Sequence, residues 1–166
     1  MRPFAGCGAG AAEGVGAGRR SRAPATDGDA PGATGGVGTE PSGMAAARQA
    51  VAAYFAAARA MDARAMAGVF AEDALTFDPT TESPVQGHDE LQAYFQTLWA
   101  HFETLNLVED STFFAHDGAA AKWTAYGVLT SGRGVVFEGI DVFEVGDRGT
   151  IQTLWTYRDP LPFLPA

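Results

Sequence analysis

The chain of 166 residues has a single cysteine, Cys7. One thiol closes no internal disulfide and builds no cysteine-based zinc site, and it fits a reducing compartment, so a cytoplasmic location is the expectation. Long apolar runs are missing as well. The longest nearly apolar stretch, around residues 51–58, is alanine-rich and flanked by charge, so no membrane span is expected. The basic residues within 1–22 lead into no apolar segment of the kind a secretory signal needs. Positive charge is scarce: 11 Lys and Arg stand against 20 Asp and Glu, a net charge of -9. That balance argues against a nucleic-acid backbone or an anionic membrane as partner and leaves a neutral or cationic ligand easier to accommodate. The three histidines, His88, His101 and His116, show no metal-ligand spacing, so no metal site is expected.

Aromatic residues are nearly absent from residues 1–43, where Phe4 is the only one among Gly, Ala, Pro, Ser and Thr. Such a composition cannot offset the entropy of ordering, and the segment is read as a disordered tail. Its arginines (2, 19, 20 and 22) cancel its acids (13, 27, 29 and 40), so the net charge belongs to the remainder. Residues 44–160 read as one domain and 161–166 as an extended end. With 46% hydrophobic residues, the chain can bury one sizeable core.

Helical spacing of Val51, Tyr54, Phe55 and Ala58 predicts a first helix over 47–61 with Tyr54 pointing inward. Asp62 caps a second, short helix over 63–70. Leu91, Tyr94, Phe95, Leu98, Trp99 and Phe102 recur at three and four, predicting a third helix from His88 or Asp89 to about Phe102. Beyond it, strands are expected over 105–115, 120–130, 135–145 and 150–158, joined by Gly-containing turns. Three helices followed by an antiparallel meander make an α+β domain with helices packed on one face of a sheet.

Two acids stand out. In the run FAEDALTFDP over 70–79, Leu75 and Phe77 alternate with Thr76 and Asp78, and Pro79 ends the strand. Asp78 is either a solvated residue that starts the turn or a functional acid. On the strand over 135–145, Asp141 interrupts an otherwise apolar row of Val135, Phe137, Gly139, Phe143 and Val145. Burying a carboxylate is costly unless it is paired or protonated, so Asp141 is either an ion-pair residue, with Arg158 as candidate partner, or an acid kept neutral. A buried Tyr54 hydroxyl needs a partner too: a backbone carbonyl or a ligand oxygen.

Tyr54, the run over 70–79, IDVF over 140–143 and GTIQT over 149–153 resemble the ketosteroid isomerases, steroid Δ5-3-ketoisomerases of the nuclear transport factor 2-like (SnoaL-like) superfamily. The spacing of Tyr54 and Asp78, and the position of Gly87 and the helix after it, are similar too. The resemblance covers residues 44–158 and implies a cone-shaped fold, three N-terminal helices packed against a curved, mostly antiparallel sheet, enclosing a deep pocket. It implies Asp78 as the general base of a cofactor-free double-bond shift, with Tyr54 and a protonated Asp141 donating hydrogen bonds to the dienolate oxygen; these roles are the family's. It further implies a hydrophobic small-molecule substrate, steroid or polyketide-like, and a homodimer. Phe55, Val69, Phe70, Phe95, Trp99, Phe137, Phe143, Leu154 and Arg158 are the candidate substrate contacts. The chain departs from the pattern at Arg158, where the isomerases tend to have an aromatic residue, and at Phe70 and Phe95, where some members carry tyrosine. One scaffold hosts several chemistries, so two alternatives stand beside the isomerase. One is a SnoaL-like polyketide cyclase or epoxide hydrolase, the latter needing an arginine between two acids; the other is a non-catalytic small-molecule-binding dimer module.

Overall fold

The computed structural model describes residues 42–158. The expected disordered segment over 1–43 lies outside the described residues apart from Ser42 and Gly43, and the expected extended end over 161–166 lies wholly outside them. The described part is an α+β fold with its helices at the N-terminal side, packed on a mixed, mostly antiparallel curved sheet.

Helix α1 (Ser42–Ala60) buries Val51, Tyr54 and Phe55 together with Ala47, Ala50, Ala57 and Ala58, small residues that let the helix sit close to the sheet. It starts at Ser42, five residues before the expected start at residue 47, and ends one residue short of the expected end at 61. Helix α2 (Ala63–Gly68) opens where Asp62 accepts a hydrogen bond from the Ala65 amide at 2.9 Å, the expected cap. It is shorter than the pattern predicts: Phe70 begins strand β1 (Phe70–Phe77). Between β1 and the next helix lies a two-residue strand, β2 (Val85–Gln86), too short to leave a periodic signal. Helix α3 (Gly87–Trp99) carries Asp89 and Glu90 in its first turn, where the helix dipole favours acids, and buries Leu91, Phe95 and Trp99. Gly87 has φ +77, and a Cβ there would stand 3.1 Å from the Glu72 carbonyl oxygen, so glycine is required for this sharp start.

Phe102, expected at the end of α3, instead begins strand β3 (Phe102–Ala115); a residue that satisfies both periods has gone with the sheet. Strands β4 (Gly118–Leu129), β5 (Gly134–Val145) and β6 (Ile151–Arg158) complete the meander within two residues of the expected limits. Strand order is β2-β1-β6-β5-β4-β3. Every pair is antiparallel except β1 with β6, which run parallel with Thr76 opposite Leu154 and Phe77 opposite Trp155.

The inner face of the sheet alternates as the period of two demands. On β5, Gly139, Asp141, Phe143 and Val145 are buried while Glu138, Ile140 and Glu144 are exposed. On β1 the polar side is the inner one: Ala74, Thr76 and Asp78 are buried, and Leu75 and Phe77 are only half-buried. Gly139 makes room for a neighbour, since a Cβ there would fall 2.3 Å from Trp123 Cζ2, so the indole lies flat across the strand. No helix among the described residues is long and apolar enough to cross a membrane.

Candidate functional site

Asp78 follows β1 and keeps its inward direction, with 4% of its side chain exposed. Its Oδ1 accepts from the Thr80 amide at 2.8 Å and the Thr80 hydroxyl at 2.5 Å, and the Thr81 amide donates to its backbone carbonyl at 3.1 Å. Asp78 therefore starts the turn, as the first reading has it, but from a buried position and not as a solvated residue. Arg158, at the end of β6, donates through Nη2 to Oδ1 at 2.9 Å and to Oδ2 at 3.0 Å. The parallel register explains the pairing. Phe77 is opposite Trp155, so the next inward positions on the two strands are Asp78 and Thr156, with Arg158 one inward step farther along. Arg158 thus pairs with Asp78 and not with Asp141, so the ion-pair alternative for Asp141 does not hold. Thr80 donates twice to Oδ1, Arg158 donates to both oxygens, and the Tyr94 hydroxyl lies within reach of the carboxylate, so Oδ2 is the less heavily used oxygen.

Tyr54 is buried and packs edge-on against Phe55, Phe70 and Phe143, with ring centroids 5.1 to 6.3 Å apart. Burial raises its hydroxyl well above the ordinary phenol range, and the nearby Asp141 carboxyl adds to the rise. Asp141 is fully buried and accepts from the Thr156 hydroxyl at 2.8 Å. Burial pushes its carboxyl up to about 6, against donors on Thr156, Tyr54 and Trp123 that favour the charged form. The sequence places this acid correctly on the inner face, and the structure gives it hydroxyl and indole neighbours in place of a cation.

Tyr54 and Asp78 line one interior cavity of about 60 Å³, whose polar wall also includes Thr76, Tyr94, Thr156 and Arg158. Phe95, Leu98, Trp99, Phe137 and Leu154 form much of its apolar wall. A single water needs roughly 10–15 Å³ on this scale and drug-sized ligands occupy a few hundred, so the space as it stands suits a compact ligand. Of the candidate contacts, Phe95, Trp99, Phe137, Leu154 and Arg158 are on the wall. Phe55, Val69, Phe70 and Phe143 belong to the core packing behind it, where α1, α2 and β1 close on the sheet. Asp141 is not on the wall either; it lies beneath Thr156, which is.

Sequence reasoning passed over Tyr94, reading it as one more residue of an apolar stripe. Its hydroxyl lies beside the Asp78–Arg158 pair, and burial, then the Asp78 charge, raises its pKa. The signal that could have found it is its place one residue before Phe95, where the resemblance has tyrosine in some members. His88, in the first turn of α3, meets the Phe70 carbonyl oxygen at 2.8 Å and ties α3 to β1.

The profile of the SnoaL-like domain matches residues 51–153. The chain belongs to the SnoaL-like domain family. Solved structures share the SnoaL-like fold at low identity. A putative polyketide cyclase of Xanthomonas campestris pv. campestris superposes with TM-score 0.63 at 21% identity, covering 70% of this chain and 92% of that one. A Mycobacterium tuberculosis protein in complex with estradiol-17beta-hemisuccinate gives 0.60 at 19%, covering 68% and 92%. The epoxide hydrolase/cyclase-like enzyme SalBIII, of pyran ring formation in the polyether salinomycin, gives 0.59 at 20%, covering 67% and 88%. No curated protein sequence matches the chain. The SnoaL-like superfamily includes cyclases and isomerases, and what these relatives share with the present chain is the scaffold.

Proposed function

We propose that this SnoaL-like domain is a cofactor-free acid–base enzyme that moves a proton at the carbon next to a carbonyl in a compact, mostly apolar substrate. Asp78 Oδ2 is the base, and the Tyr54 hydroxyl donates to the oxygen that becomes negative. The observation that carries this reading is that a carboxylate with one lightly used oxygen and a buried phenol line the same apolar cavity. Arg158 and Thr80 orient the carboxylate, at the expense of some basicity.

Asp141 is then a positioning residue that acts through Tyr54. When protonated it donates toward the Tyr54 oxygen and leaves the phenol proton for the substrate; when ionised it competes for that proton. The same enolate would serve either a double-bond shift, as in the isomerases, or the carbon–carbon bond formation of a polyketide cyclase. A steroid skeleton would need the apolar wall to open, so the compact ketone is the better substrate.

Epoxide opening is the second reading, and Arg158 favours it by holding Asp78. That chemistry wants the guanidinium between two acids. Arg158 Nη1 meets neither acid, since it has no hydrogen-bond partner among the described residues, and this ranks the reading second.

A homodimer is part of the proposal. Tyr126 and Val136 are exposed cross-strand neighbours on the outer face of the sheet, as are Ile140 and Tyr157, and these pairs suit burial against a second copy.

The test is conversion of 3-cyclohexen-1-one to its conjugated isomer, followed by ultraviolet absorbance beside a β,γ-unsaturated 3-ketosteroid. Turnover of the small ketone that is lost in Asp78→Asn is expected. Turnover that Asp78→Asn leaves intact removes the base assignment, and a monomer in gel filtration at micromolar concentration removes the dimer.

A further inference from the structure

Four buried side-chain atoms find no hydrogen-bond partner among the described residues: Thr76 Oγ1, Trp123 Nε1, Asp141 Oδ2 and Arg158 Nη1. Trp123 and Asp141 face each other, and the indole is one of the donors that favour the Asp141 charge. Thr76 and Arg158 are different, because both line the cavity; Thr76 has no part in the proton transfer described above, and Arg158 serves it through Nη2 alone. Thr76 is 1% exposed, and the Arg158 side chain 3%. Arg158 spends Nη2 on Asp78 and has the Tyr94 hydroxyl beside it, while its Nη1 makes no hydrogen bond among the described residues. A buried donor without an acceptor is much costlier than a made bond is favourable, so two of them on one small apolar cavity select for a ligand that brings oxygen to them.

We propose that Thr76 Oγ1 and Arg158 Nη1 form a second oxygen-binding position in the cavity. The ligand is a compact neutral molecule that carries a hydroxyl, carbonyl or ether oxygen in addition to its reacting carbonyl. The part concerning the reacting carbonyl rests on the proton-transfer reading; the second oxygen does not.

Charge decides that the oxygen is neutral. The Arg158 cation is already matched by Asp78, Asp141 is buried on the same face, and the whole chain carries -9. A carboxylate brought to Nη1 would be one buried anion too many. A neutral oxygen accepts from Nη1 without that cost, and the Thr76 hydroxyl can donate to it or accept from it.

Three ketones of one shape test this on the full-length protein by titration calorimetry: 2-tetralone, 6-hydroxy-2-tetralone and 6-carboxy-2-tetralone. The hydroxy compound is expected to bind roughly tenfold tighter than the parent, and the carboxylate weaker than either. In Thr76→Val, which keeps the shape and loses the hydroxyl, the preference is expected to fall to about threefold or less. Equal binding of the hydroxy and parent ketones to the wild type overturns the proposal, as does tightest binding of the carboxylate. A preference that survives both Thr76→Val and Arg158→Lys overturns it as well. Deuterium exchange at carbon 1 of the same ketones, read by NMR, separates the two proposals. Exchange that depends on Asp78 without an oxygen preference removes the second position and keeps the proton transfer; an oxygen preference without exchange does the reverse.

Discussion

Arg158 Nη2 holds both oxygens of Asp78, at 2.9 and 3.0 Å, across the one parallel strand pair of the sheet. Both side chains are almost fully buried, at 3% and 4% exposure. Two charges taken out of water together are tolerable only as a pair, and removing one strands the other.

Replacing Arg158 with Met is expected to lower stability by roughly 3–5 kcal/mol, because Asp78 is left as an unmatched buried anion. Asp78→Asn strands the cation in the same way. Urea denaturation of both single variants and of the double variant reads the coupling: the double variant is expected to lose less than the sum of the two. Additive losses would mean that the pair is not energetically joined.

Stability should depend on pH through Asp141. Its carboxyl is raised to about 6 in the fold, above the ~3.9 of an unfolded chain. Between those values the native state binds more protons than the unfolded state, so stability falls as pH rises through this window. Asp141→Asn cannot ionise, and its stability relative to wild type is expected to improve by on the order of 3 kcal/mol from pH 4 to pH 7.5. Urea midpoints at the two pH values check this. A gap that does not change with pH would contradict a raised carboxyl.

Turnover should respond to the same proton. If a protonated Asp141 frees the Tyr54 hydroxyl, the rate declines as pH rises through about 6. In Asp141→Asn the amide cannot titrate, and that limb is expected to vanish. Tyr54→Phe is expected to slow turnover by roughly 10²–10³ at all pH values. Full activity in Tyr54→Phe would remove the phenol from the mechanism.

Gly139 is the position where a single methyl matters most. A Cβ there would overlap the Trp123 ring at 2.3 Å, and Trp123 is both buried and on the cavity wall. Gly139→Ala is expected to cost roughly 1–3 kcal/mol through displaced packing. Thermal unfolding measures the loss, and a Trp123→Ala background, where the ring is gone, is expected to relieve it.

Much of this architecture was legible because local pattern and fold agree. The alternation on β5 alone puts Asp141 on the inner face, and Asp62 announces the start of α2 by its capping chemistry. Legibility ended where two distant segments meet. Nothing in the residues of β1 or β6 states that the strands run parallel, or in which register, so the sequence offers Arg158 to Asp141 and gives no sign of its pairing with Asp78. Wall and core were also indistinguishable: Phe95 faces the cavity and Phe70 the interior, yet both are aromatic residues in an apolar row. Tyr94 was hidden for the same reason, since periodicity reports which way a side chain points and says nothing of what its hydroxyl meets.

The acid and the guanidinium that embrace it stand 80 positions apart, one before the meander begins and the other at its last residue. A growing polypeptide can therefore lay down its helices and hairpins while lacking any competent centre. The buried pair comes into being only as the final strand slides in beside the first, so the proposed proton transfer would be a readout of finished assembly.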